Sequence, residues 1–205
     1  MNRAVIGGML LLLMGLSAQA ATIDVGDHDL LAGRVSQKVE IYVSGGEAVQ
    51  ALNFRIQVAD GGPEVPGGSV DGPAITALDI ITGTIFENNH NPVVVEDEFG
   101  GPYPQWEGRT VTTSSDTVSA NGLLATVTLD TTGFSVGESW ELAISMTANG
   151  TGTNISGAEG LIPLGITDGT INLVPEPAVF VQLLGLTVAV VPLWLRRRRS
   201  NTRAR

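Results

Sequence analysis

Four stretches of this chain alternate apolar and polar residues with a period of two, and that period constrains the fold more than any other feature. Val39, Ile41 and Val43 alternate with Glu40 and Tyr42, and Leu52, Phe54, Ile56 and Val58 with Asn53, Arg55 and Gln57. Leu123, Ala125, Val127 and Leu129 alternate with Leu124, Thr126, Thr128 and Asp130, and Trp140, Leu142, Ile144 and Met146 with Glu141, Ala143, Ser145 and Thr147. A period of two puts one set on each face of a strand, so the first set in each stretch is the expected core. Shorter strands are expected at Thr22–Val25, Ala74–Ile81, Pro92–Val95, Arg109–Thr113 and Thr170–Leu173. Gly, Asn, Asp and Pro clusters separate them, at Ser44–Gly46, Asp60–Gly68, Gly100–Pro104 and Asn149–Thr153. No helical period occurs outside the two ends. The expectation is an all-β fold, a single antiparallel β-sandwich of jelly-roll type over residues 21–173.

The ends are of another kind. Asn2-Arg3, the apolar run Ala4–Leu16 and the small-x-small site Ala18-Gln19-Ala20 read as a secretory signal peptide, 1–20, removed by a signal peptidase. At the other end Pro175-Glu176-Pro177 precedes 18 uncharged residues, Ala178–Leu195, and then Arg196, Arg197, Arg198 and Arg199. At about 1.5 Å per residue a helix of that length spans roughly 27 Å, close to a bilayer's apolar core. The arginines are expected on the cytoplasmic side, as the stop to the span. The chain thus reads as exported, held in the membrane by one pass with its domain outside the cytoplasm. An uncleaved N-terminal anchor and an ordinary C-terminal anchor are the alternatives.

Between the ends lies one domain's worth of chain, enough to bury a core. Its four positive residues, Arg34, Lys38, Arg55 and Arg109, face twenty acidic ones, a net charge of −16. Such a surface repels a phosphate backbone, so no nucleic acid is expected as a partner. There is no cysteine, which excludes disulfides, a thiol nucleophile and thiolate zinc sites.

Three constellations could carry chemistry. Asp24, Asp27 and Asp29 fall within six residues and could offer oxygens to Ca2+; the alternative is three solvated carboxylates. Gly133-Phe134-Ser135-Val136-Gly137 matches G-x-S-x-G. That motif needs a helix after the serine and a histidine downstream, whereas a strand pattern follows it and both His28 and His90 lie upstream; a turn is the expected reading. Phe99, Tyr103 and Trp106 fall in an acid- and proline-rich insertion, Glu87–Gly108. Their rings could stack on sugars, anchor a partner protein, or fold back over the end of the sandwich.

The tag, Pro175-Glu176-Pro177 followed by the span and the arginines, resembles that of the PEP-CTERM family of exported bacterial proteins. The resemblance implies recognition by an exosortase and a final location at the cell surface or in the extracellular matrix. The tail differs in running on to Arg205. The strand order, with Val25-Gly26, Val39–Val43, Val49–Val58, Asn121–Leu129 and Gly169–Leu173, resembles the cohesin-like, carbohydrate-binding β-sandwiches. This second resemblance implies nine strands and a non-catalytic role in binding a partner domain or a polysaccharide. It carries over no binding residue. The other classes weighed are a small secreted hydrolase, using carboxylates or Ser135, and a purely structural envelope component.

Overall fold

The computed structural model describes residues 20–62, 67–69, 71–92, 95–96, 106–144 and 152–177; at 95, 96, 106 and 107 only the backbone is described. The signal segment, the span 178–195, the arginine run, Phe99 and Tyr103 lie outside these residues. Among the described residues no helix is long and apolar enough to cross a membrane.

Among the described residues, every element within 21–174 is a strand. β1 (Ala21–Asp24) and β2 (His28–Leu31) are followed by β3 (Gln37–Ser44), β4 (Ala48–Val49) and β5 (Ala51–Val58). β6 (Ala74–Asp79), β7 (Val95–Glu96), β8 (Trp106–Thr112) and β9 (Val118–Ser119) form the middle. β10 (Gly122–Asp130), β11 (Ser139–Ile144), β12 (Asn154–Gly157), β13 (Gly160–Ile162), β14 (Leu164–Thr167) and β15 (Gly169–Val174) complete the order.

Two sheets result. The smaller runs β14-β1-β3-β10-β6; the larger runs β13-β12-β5-β11-β15-β2, with β8 along β5 and β7 along β8, and β4 pairs with β9 apart from both. Some of the fifteen pieces belong to longer strands. β1 and β2 are one strand that changes sheet at Val25–Asp27, and β14 and β15 are one that changes sheet at Asp168. They do so side by side and in parallel, Ala21 against Leu164 in the smaller sheet and Leu31 against Val174 in the larger. At the crossing the backbones nearly touch: a Cβ on Gly169 would lie 1.7 Å from the Gly26 carbonyl oxygen. Only glycine fits there.

β11 and β12 both pair with one edge of β5, and β8 occupies the other. The ladder is broken opposite Arg55. There the Thr153 hydroxyl, 5% exposed, replaces the missing strand: the Arg55 amide donates to Oγ1 at 2.8 Å and Oγ1 donates to the Arg55 carbonyl at 2.9 Å. Both buried backbone groups are thereby satisfied.

The core lies between the sheets, and its residues follow the alternation. Val39, Ile41 and Val43 face Leu52, Phe54, Ile56 and Val58, all at most 2% exposed. Burying each such side chain contributes roughly 1.5–3 kcal/mol.

Two expectations need correction. In β10 the register shifts between Leu123 and Ala125, so Leu124 and Ala125 are both buried while Leu123 is half-buried. Alternation cannot continue through a bulge. Trp140 is not fully in the core: it is half-buried, edge-on to Phe134 with ring centroids 4.9 Å apart, and its Nε1 donates to the Asp71 carbonyl at 3.2 Å. Ser145, Met146 and Thr147, the expected continuation of the strand at Trp140–Ile144, lie outside the described residues.

Candidate functional site

The outer face of the larger sheet is built from the alternate residues of β5 and its neighbours. Because Leu52, Phe54, Ile56 and Val58 point inward, Ala51, Asn53, Arg55 and Gln57 take the outer face. Register extends each into a row: Ser156–Ala51–Thr112, Asn154–Asn53–Thr110, Arg55–Gly108 and Ala143–Gln57–Trp106. The result is a broad sheet surface of amides, hydroxyls and one guanidinium.

Its polar groups hold each other. The Thr110 hydroxyl donates to Asn53 Oδ1 at 2.9 Å, and Asn53 Nδ2 and Asn154 Nδ2 both donate to the Gly152 carbonyl, at 2.9 and 3.0 Å. Gln57 Nε2 donates to the Ala59 carbonyl at 3.0 Å. The Arg55 stem lies over Gly108, where an added Cβ would meet Cγ at 3.2 Å. Side chains anchored in this way lose little further freedom when a partner covers them.

Trp106, expected in an irregular insertion, is the first residue of β8, paired with Gln57 in the outer-face row. The other two aromatic candidates, Phe99 and Tyr103, lie outside the described residues. Sequence reasoning passed over Asn53, Gln57, Thr110 and Asn154. Their signal was present: the outward positions of 51–58 carry amides where those of 37–44 carry Lys38 and Glu40.

Asp24, Asp27 and Asp29 straddle the change of sheet. Asp24 ends β1 opposite Tyr42 in the smaller sheet, Asp29 lies on β2 opposite Asn172 in the larger, and Asp27 in between accepts from the Thr170 hydroxyl at 2.8 Å. Among the described residues no group of three His, Cys, Asp or Glu side chains is placed to hold a metal ion.

Ser135 lies in the turn between β10 and β11. Its amide donates to Glu138 Oε2 at 2.6 Å, and Gly133 and Gly137 both have φ of 92°. His28 Nε2 bonds the Val25 carbonyl at 2.7 Å and His90 Nδ1 the Phe86 carbonyl at 3.1 Å. The G-x-S-x-G stretch is a glycine turn, with the strand β11 where a hydrolase would need a helix.

Glu176, of Pro175-Glu176-Pro177, is within reach of the sandwich: its Oε1 accepts from Arg34 Nη2 at 2.5 Å. The arginines Arg196 to Arg199 lie outside the described residues.

A comparison with protein-family models found no match, and a comparison with curated proteins found none. Solved structures do match. The third cohesin ScaC of Acetivibrio cellulolyticus, in complex with the ScaB dockerin, aligns over 75% of this chain and 99% of its own at 18% identity and a TM-score of 0.52. A non-cellulosomal cohesin from the archaeon Archaeoglobus fulgidus covers 80% and 97% at 16% identity and 0.51. A type III cohesin module of the cell-surface anchoring scaffoldin ScaE of Ruminococcus flavefaciens covers 77% and 89% at 15% identity and 0.53. The fold is therefore that of a cohesin-like β-sandwich.

Proposed function

We propose that this protein is a non-catalytic binding module whose working surface is the outer face of the larger sheet, and whose partner is a folded protein domain. The observation that carries this reading is the self-satisfied lattice of Asn53, Thr110, Asn154 and Gln57. Such a surface offers fixed donors and acceptors over an area a second domain can cover. That one of the similar cohesins was solved bound to a dockerin agrees with it. Phe99, Tyr103 and Trp106 remain the candidate aromatic anchors for that partner. Ca2+ bound through Asp24, Asp27 and Asp29 forms no part of this reading.

In the same reading the chain is exported after a signal peptidase acts at Ala20. It is held by the span 178–195 with Arg196–Arg199 inside, and handled through Pro175-Glu176-Pro177 by an exosortase, leaving the module at the cell surface or in the matrix. The sequence at the two ends supports this step. The acidic, cysteine-free domain is compatible with life outside the cell.

The test is a binding screen of the full chain against a panel of dockerin modules and a panel of neutral and acidic polysaccharides. Binding to a module, lost in Asn53→Arg/Gln57→Glu and kept in Tyr42→Ala, supports the reading. Polysaccharide binding that depends on Phe99, Tyr103 and Trp106, but not on Asn53, would replace it with a sugar-binding one. No binding in either panel would favour a purely structural envelope component.

A further inference from the structure

The end of the sandwich where the chain leaves the domain holds an ion pair that no feature of the fold requires. β15 finishes at Val174, opposite Leu31, and the last backbone bond beyond the ladder runs from the Ala32 amide to the Val174 carbonyl at 3.2 Å. Two residues further on, Glu176 accepts from Arg34 at 2.5 Å. In a segment with four positive and twenty acidic residues, one of the four is committed to the only acid of the tripeptide.

Both partners are held in place before they meet. Arg34 sits in the link between β2 and β3, and that link is fixed by the fully buried Thr131. The Gly33 amide donates to the Thr131 carbonyl at 3.2 Å and the Arg34 amide to Thr131 Oγ1 at 3.0 Å, while the Thr131 amide donates to the Arg34 carbonyl at 2.8 Å. Gln37 closes the same link, with Nε2 donating to Leu31 O at 2.8 Å and Oε1 accepting from the Leu31 amide at 2.7 Å. On the other side, Pro175 and Pro177 each fix φ near −65°, so presenting the Glu176 carboxylate costs little chain entropy. The two side chains remain 53% and 41% exposed. Such a pair is weak, salt-sensitive and quick to open.

We propose that Arg34 is a latch for Pro175-Glu176-Pro177: it holds Glu176 against the folded sandwich, so an enzyme acting at this tripeptide competes with Arg34 for the carboxylate. The latch is a property of the domain alone. Its consequence for sorting rests on the reading proposed above. The domain would thereby shelter the tripeptide while folded and present it in full when the β2–β3 link is disturbed.

The experiment uses the full chain in detergent at low salt, with a prolyl-specific endoprotease as probe and the cut sites read by mass spectrometry. Because the probe replaces any sorting enzyme, a failure of the exosortase reading leaves this result intact. Arg34→Ala should raise the rate of cutting after Pro175 or Pro177 about two- to fivefold, the range expected from loss of an exposed pair. Arg34→Lys should stay near the wild-type rate. Salt at 1 M should bring the wild type up to Arg34→Ala. Glu176→Arg should be fast and Arg34→Glu/Glu176→Arg slow again; these two share one tripeptide, so protease preference cancels. The buried Pro73 reports unfolding, and cutting there should not change; if Arg34→Ala does expose it, the Glu176→Arg pair of variants decides. Equal rates for wild type and Arg34→Ala with Pro73 protected, or no slowing by the charge exchange, would overturn the latch.

Discussion

The two outer faces of the sandwich have the same backbone geometry and different chemistry. On the smaller sheet, β3 turns Lys38, Glu40, Tyr42 and Ser44 to solvent, all exposed, beside Thr126 and Thr128 of β10. The Tyr42 hydroxyl donates to Glu40 Oε2 at 2.6 Å, and this bond, with the Glu40 charge, raises the Tyr42 pKa above its ordinary value. On the larger sheet Asn53, Gln57, Thr110 and Asn154 are half-buried and bonded to one another or to backbone carbonyls. The first face holds charges that prefer water. The second is neutral apart from Arg55 among the row residues of β5, β8, β11 and β12, so covering those rows strips solvent from a single ion. Strand alternation makes both surfaces; only the identity of the outward residues sets the proposed docking face apart.

The comparison can be broken most severely where the sheets exchange strands. Gly169→Val would drive a side chain into the Gly26 carbonyl, and backbone there cannot yield. The expected loss is about 3 kcal/mol or more, a fall of roughly 10 °C in Tm, read by calorimetry. Thr153→Val leaves the amide and carbonyl of Arg55 without their replacement ladder. It should cost about 1–3 kcal/mol in urea unfolding, whereas Thr128→Val on the opposite sheet should stay within about 0.5 kcal/mol. If the two losses were equal, the larger face would be no more organised than the smaller.

A pH experiment sharpens the smaller-sheet side. Burial raises the Asp79 pKa, but amide bonds from Thr82 and Ile81, the Thr82 hydroxyl and the charge of Lys38 outweigh it, and the net shift is downward. Asp130 is lowered by the Thr132 side chain and amide. A carboxylate whose folded pKa is depressed stabilises above its unfolded value, near 3.8, and that contribution is lost as pH falls through the lower folded value. The wild type should therefore lose stability on acidification below about pH 4, and Asp79→Asn should show a shallower loss between pH 5 and pH 2, measured by thermal melts. The smallest effect is spectroscopic: Glu40→Gln should bring the Tyr42 ultraviolet titration down toward the ordinary tyrosine range, with no change in partner binding.

What the sequence made legible follows the range of each interaction. Leu52, Phe54, Ile56 and Val58 were readable because alternation is local and nothing interrupts it. Leu123 and Leu124 misled because both are apolar and a bulge shifts the phase between them, which composition does not mark. The exchange of strands between sheets has a trace in Gly26 and Gly169, but two glycines 143 positions apart do not reveal that they touch. The proposed docking face was half legible: the amides of β5 stand in plain sequence, while their bonds to Thr110 and Gly152 belong to the fold. The Arg34–Glu176 pair, separated by 142 positions, had no local signal. The three aspartates are not gathered into one group of ligands, for the converse reason. Nearness along the chain brought them to a strand that climbs from one sheet to the other, and an extended backbone spreads what a loop would gather.

The parallel pairing of the first and last strands has a mechanical consequence. β1 enters at the end marked by Ala21 and Leu164, and β15 leaves at the opposite end, beside Leu31. A tether at Pro177 and a load carried near residue 21 would pull these neighbours past each other along their length, so the hydrogen bonds of both parallel ladders would have to yield together rather than peel one at a time.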